Sequence, residues 1–181
     1  VVVLAGPGNN GADGRVAGEL LARRGARVTV LDAREATTLP PADLVLDAAF
    51  GTGLSRPYEA PDPGDTRVLA VDIPSGVDGL TGEQLGRPMR AERTVTFAAA
   101  KPGLLLGAGR ELAGELEVVD IGLDTSCATV HHVEDADVAE LWPRRPVAAH
   151  KYHAGVWVIA GSPGMTGAAQ LAAAAAMRAG A

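Results

Sequence analysis

The apolar run Val1 to Ala5 passes directly into Gly-Pro-Gly-Asn-Asn-Gly-Ala-Asp-Gly at residues 6–14 and then into an Ala/Leu-rich stretch. That is the order of a strand, a tight turn and a helix. Glycines in such a turn let the backbone come close to a ligand, and the free N–H groups at the start of the following helix hold an anion with help from the helix dipole. The polar filling sets this turn apart. Asn9, Asn10 and Asp13 stand where a dinucleotide turn needs only small residues, which points to chemistry, or a cation, beside the phosphates.

The segments Arg27 to Leu31, Leu44 to Phe50, Val68 to Ile73, Thr94 to Phe97 and Glu115 to Asp120 are short, aliphatic or β-branched, and most lack strict alternation. Strands of this kind are covered on both faces, so they predict a parallel sheet with helices on each side, an α/β fold. Val16, Ala17, Leu20 and Leu21 fall at helical spacing within Asp13 to Arg24, and Gly25 supplies a stop. The next connections, Arg34 to Asp43 and Pro57 to Thr66, carry several prolines and no apolar periodicity, and both are shorter than a helical crossover requires. This points to residues missing from both. Beyond Leu123 the texture changes: Asp124 to Ala149 mixes charges with His131, His132 and Trp142 like a connector. A second unit follows, with a strand expected at Val156 to Ala160, a Gly-Ser-Pro-Gly turn and an Ala-rich helix from Gly167.

A length of 181 residues accommodates one α/β domain and part of another. The net charge of −6 and the 3% aromatic content argue against nucleic acid as a partner, since there is neither a basic stripe nor a set of stacking platforms. The single Cys127 excludes an internal disulfide, and no apolar run is long enough to span a bilayer. A reducing, cytoplasmic setting is expected, with no membrane partner.

Three segments fall where strands end at the carboxyl edge of the sheet, the usual ligand crevice of open α/β folds. In the first turn, Gly6, Gly8 and Gly11 match G-x-G-x-x-G, and Asp32 stands at the end of the second strand where a ribose-binding acid belongs. That pattern supports an NAD- or flavin-dependent oxidoreductase as one reading. Asp47 places a carboxylate in an otherwise apolar strand, so it either pairs with a cation or caps the Gly51 to Gly53 turn. With Asn10 and Ser75 as further oxygen donors and no His/Cys cluster nearby, a hard cation suits the set better than zinc. Asp72 ends its strand as an acid/base candidate or a turn cap. Ser75 lacks a nucleophile elbow, and the His150, Lys151, Tyr152, His153 group lacks the carboxylate or thiolate of a metal site. Lys101 either serves the same crevice as a cation or is a solvated loop residue.

The segments GPGNNGADG (6–14), DAAFGTGLSRP (47–57), AVDIPSGVDGLTGE (70–83), TVTFAAAKPGLLLGAGRELAGE (94–115) and VVDIGL (118–123) resemble the NAD(P)H-hydrate epimerase, or YjeF N-terminal domain, family. Residues 149–181 resemble the opening of the ribokinase-like ADP- or ATP-dependent NAD(P)H-hydrate dehydratases. The resemblance implies a Rossmann-like three-layer αβα domain over residues 1–127, without the family's N-terminal region. Residues 128–181 would be a connector and the first strand and helix of a truncated ribokinase-like domain. It further implies epimerisation of hydrated NADH or NADPH at C6, coupled in an intact protein to dehydration with ADP or ATP and Mg2+, and a homo-oligomer.

By the same resemblance Asn9, Asn10, Gly11, Ala12, Asp13, Gly51, Thr52, Gly53, Leu54, Ser55, Arg56, Pro57 and Asp72 bind the substrate. Asn10, Asp47 and Ser75 would hold potassium, and Asp72 with Lys101 would be catalytic. Ala12 departs from the family's second glycine, and its methyl is expected to narrow the phosphate approach. A YjeF-like scaffold without activity is the remaining alternative, which the retained acid and cation set speaks against.

Overall fold

The computed structural model describes residues 1–141, 146–150 and 155–180. It divides into two units, Val1–Ala128 and Thr129–Ala181. In the first, the strands are β1 (Val2–Ala5), β2 (Thr29–Asp32), β3 (Leu44–Ala48), β4 (Tyr58–Glu59), β5 (Arg67–Val71), β6 (Gly86–Arg87), β7 (Arg93–Phe97) and β8 (Glu115–Val119). Six of them form one sheet in the order β2-β1-β3-β5-β7-β8, and every adjacent pair is parallel. β4 and β6 pair separately, a short ribbon that no apolar alternation announces.

The order reverses direction between β1 and β3, because the chain leaves β1 toward β2 and returns past β1 to β3. That switch point opens a crevice at the carboxyl ends of the strands. The return from β2 to β3 contains no helix, as its prolines predict.

Helix α1 (Asn9–Arg23) starts four residues earlier than the apolar spacing suggests. Gly8 is its extended N-cap, so Asn9 and Asn10 belong to the first turn of the helix rather than to the loop. The buried stripe of α1 is made of Gly11, Gly14 and Gly18. A Cβ on Gly14 would overlap the Ala48 methyl, and one on Gly18 would stand 3.1 Å from a Val3 methyl. Tertiary packing therefore overrides the low helix propensity of glycine. Ala17 and Leu21 complete this face against Val3, Ala5 and Leu46.

The opposite face of the sheet buries Leu4, Val45, Val68 and Ala70 with Tyr58, Met89 and Ala91. Toward β8 it is covered by a 3₁₀ turn at Pro102–Leu104 and by helix α2 (Gly107–Ala113), where Ile73, Val77, Leu104 and Ala113 form a second cluster. Helices on both faces of a parallel sheet make the expected three-layer α/β arrangement. Two strands end early: the predicted runs to Phe50 and Ile73 stop at Ala48 and Val71. At Asp72 the cause is local, since its φ of 72° turns the chain out of the ladder.

The second unit contains α3 (Asp135–Leu141) and α4 (Gly167–Arg178), the latter where the Ala-rich pattern places it. The strand expected at Val156–Ala160 does not form. No strand among the described residues pairs with this segment, and Trp157 and Ile159 are 93% and 97% exposed. Only an antiparallel bridge, Ser162 to Met165, closes the following turn. Trp142 and the Lys151, Tyr152, His153 group lie outside the described residues. Among those described, no helix is long and apolar enough to cross a membrane.

Candidate functional site

A cleft of about 580 Å³ opens at the switch point and is walled by the segments that follow five parallel strands. β1 contributes Pro7, Gly8, Asn9, Asn10 and Asp13. β3 contributes Ala49 through Leu54. Asp72 follows β5, Phe97 ends β7 with Ala98 and Lys101 beyond it, and Ile121 and Leu123 follow β8. Most sequence-selected residues meet here: Asn9, Asn10, Asp13, Gly51, Thr52, Gly53, Leu54, Asp72 and Lys101.

Others do not reach it. Gly11 is buried under the turn, where a Cβ would overlap the Gly6 carbonyl oxygen. Ala12 is exposed on the first turn of α1 and outside the lining, so its methyl does not narrow the cleft as expected. Arg56 and Pro57 line a second cleft of about 460 Å³, and Ser55 lines neither. Asp32 is held by Arg34 through contacts of 2.7 and 3.1 Å, and those bonds bring its pKa down to about 2. It too lies outside the cleft.

Asp72 is the best-fixed polar group of the cleft. Its Oδ1 accepts from Lys101 Nζ at 2.6 Å and from Thr96 Oγ1 at 3.1 Å. The ammonium also donates to Thr96 Oγ1 at 2.8 Å and to the Phe97 carbonyl at 2.9 Å, so its three protons are all engaged. Oδ2 accepts no bond from the described residues. A Cβ placed on Gly51 would stand 3.2 Å from it, so glycine at 51 keeps that oxygen accessible. Among the described residues, the two non-glycine positions with positive φ, Asp72 (72°) and Ala98 (64°), both line this cleft. Backbone strain of this kind persists where the surrounding structure over-determines it, commonly at functional sites.

Beneath the cleft Asp47 is fully buried. Burial pushes its carboxyl pKa up, against the opposing hydrogen bonds of Ser75 and Ala49. Its Oδ2 accepts from the Ser75 amide at 2.8 Å, and its Oδ1 from the Ala49 amide at 3.4 Å. The Ser75 hydroxyl donates to the Phe50 carbonyl at 3.1 Å and accepts from the Phe50 amide at 2.9 Å. The Asn10 amide donates to the Val71 carbonyl at 2.6 Å, yet its Oδ1 is buried with no partner among the described residues. An unpartnered buried amide oxygen and a buried carboxylate are donors of the type an oxygen-ligated cation takes. Among the described residues there is no group of three His, Cys, Asp or Glu able to hold a metal.

Residue-by-residue reading missed the apolar walls and Thr96. Both phenylalanines of the chain, Phe50 and Phe97, line the cleft, and their scarcity was a usable signal. Thr94 and Thr96, alternating and fully buried in β7, were another.

The family model for the YjeF-related protein N-terminus matches residues 1–38 and 30–103. The bifunctional NAD(P)H-hydrate repair enzyme Nnr of Moorella thermoacetica is 34% identical over 229 residues, covering 100% of this chain and 43% of that protein. Its Escherichia coli K12 counterpart is 33% identical over 219 residues, with coverages of 99% and 42%. The NAD(P)H-hydrate epimerase of Weissella koreensis is 35% identical over 156 residues, 68% of this chain and 71% of that enzyme. The chain spans less than half the length of the bifunctional relatives it matches. The Moorella alignment is longer than the chain itself, and the two family segments overlap at residues 30–38, from β2 into the short return toward β3.

Proposed function

The chain belongs to the YjeF-related N-terminal family, and on that premise we propose that it epimerises the R and S forms of hydrated NADH or NADPH at C6 of the nicotinamide ring. The observation that carries the reading is Asp72. Lys101 and Thr96 hold one of its carboxyl oxygens, while the other is accessible in a cleft walled by Phe50 and Phe97.

In the substrate the C6 hydroxyl is next to the ring nitrogen. The Asp72 carboxylate takes up a proton from solvent and passes it to that hydroxyl; the C6–O bond breaks, water leaves, and the nitrogen lone pair stabilises the resulting iminium-like cation. The Asp72 carboxylate now faces the positive ring. Water adds to the other face of C6 and releases its proton to solvent, which gives the opposite epimer and leaves Asp72 as the carboxylate it began as. Lys101 acts through Asp72, as a positioning residue, because its three protons are already spent. The first turn of α1 directs N–H groups at the phosphates, and the two aromatic rings shield the reacting ring from bulk water.

Potassium fits the orphaned Asn10 oxygen and the buried Asp47 carboxylate; Ser75 completes the donor set, though its hydroxyl is already bonded twice to Phe50. When bound, the ion would offset the Asp47 charge and tie together the segments after β1, β3 and β5. A homo-oligomer and, in a longer protein, coupling to nucleotide-dependent dehydration with ADP or ATP and Mg2+ complete the proposal. The test follows the R epimer of hydrated NADH by chromatography, with nucleotide omitted, in potassium and in choline salts. Formation of the S epimer above the spontaneous rate supports the reading; no acceleration by folded protein in either salt rejects it.

A further inference from the structure

The second cleft, at the carboxyl end of β2, carries the guanidinium groups of Arg34, Arg56 and Arg87 and one carboxylate, Glu59. Phe50 and Leu54 wall both clefts, so the two lie side by side across residues 50–54. Each has a size suited to one nucleotide half. In doubly wound sheets the adenosine ribose lies at the end of the second strand, where an acid bonds a free 2′-hydroxyl and an arginine accommodates a 2′-phosphate. Here both are present, and the acid is committed. Asp32 accepts the Arg34 side chain in a fork and the Arg34 amide as well, at 2.9 Å.

Building on the epimerase reading, we propose that this second cleft receives the adenosine half of the dinucleotide. There Arg34 and Arg56 select substrates carrying a phosphate monoester on the adenosine ribose over those ending in a free hydroxyl. Arg56 has no partner among the described residues. Arg34 uses two of its five donors on Asp32, which leaves the rest of the fork for a second anion. Arg87 faces Asp62 at only 4.0 Å with both side chains mostly exposed, an arrangement easily exchanged for a phosphate. Neutralised by Arg34, Asp32 opposes the incoming phosphate less than a free carboxylate would.

The test is calorimetric titration of the full chain with adenosine 2′,5′-bisphosphate and with adenosine 5′-monophosphate. Charge-assisted bonds from two arginines correspond to at least about a tenfold preference for the bisphosphate. R34Q and R56Q should each narrow that preference toward equality. D32N should widen it by releasing Arg34, a change opposite in sign that general loss of structure does not produce. Equal binding of the two nucleotides by the parent chain, no binding of either, or arginine variants that weaken both equally would overturn the proposal. The titration needs no turnover, so the two readings fail separately. A bisphosphate preference without epimerisation removes the activity alone, and epimerisation without the preference removes this selectivity alone.

Discussion

Asp72→Asn separates what Asp72 does chemically from what it does structurally. Asn has the same shape and is among the residues best tolerated at positive φ, so the backbone at φ 72° gains no strain. Its Oδ1 still accepts from Lys101 and Thr96. What disappears is the charge opposite Lys101, in a pair whose side chains are 17% and 22% exposed. Leaving that ammonium on a neutral acceptor costs about 1–3 kcal/mol of stability. For a chain of this size that lowers the melting temperature by roughly 2–10 °C, which leaves a folded protein at 25 °C. The amide has no proton of suitable acidity to give the C6 hydroxyl and no charge to face the iminium ring. Positioned acid–base catalysis contributes about 10²–10⁴-fold, so the barrier rises by about 2.7–5.4 kcal/mol. The assay pairs R-to-S epimerisation with a circular dichroism melt and an NADP+ titration. The expected result is intact folding and binding within a few-fold of the parent, with turnover reduced at least a hundredfold. A folded variant whose kcat stays within about twofold of the parent would refute the assignment.

Two further outcomes follow from the buried polar groups. Burial raises the Asp47 carboxyl above its usual 3.8, so between those two values the folded state binds more protons than the unfolded one, and stability falls as pH rises through that window. Potassium chloride in place of choline chloride should therefore raise the melting temperature at pH 7 by roughly 2 °C or more and lose its effect as pH falls through the raised Asp47 value and that carboxyl protonates; equal melts at pH 7 would remove the cation site. The Tyr58 hydroxyl is buried with no partner among the described residues, with its ionisation disfavoured by burial and then by the Asp47 charge. Tyr58→Phe should accordingly be neutral or stabilising by up to about 1 kcal/mol in urea unfolding, and a loss larger than that would show that the hydroxyl has a bonded partner.

The parallel sheet was legible because its strands are short, aliphatic or β-branched and mostly without strict alternation, and the crevice because Asn10, Asp72 and Lys101 follow such runs and Asp47 interrupts one. Other elements depend on partners distant in sequence. The four extra residues of α1 and its glycine stripe are decided by Val3 and Ala48, which no local window contains. The two-residue strands β4 and β6 exist only through each other. At Val156–Ala160 the local signal was strong and misleading, since β propensity expresses packing against neighbours that the described residues do not supply. The first-turn fingerprint was read as a cofactor signature, yet Gly6 and Gly11 are required by close contact with Ala49 and with each other's turn.

Phe50 stands at a mechanical crossing. Its amide and carbonyl are clamped to the Ser75 hydroxyl, its ring meets Tyr58 edge-on at 4.9 Å, and its side chain walls both clefts. A group that displaced this one residue would disturb the Ser75 hydroxyl and the wall of both clefts together. Were an elongated ligand to move Phe50 from one cleft, its occupancy there would be felt in the other without any contact between the two ends. Thermodynamic reciprocity requires the influence to run equally in both directions.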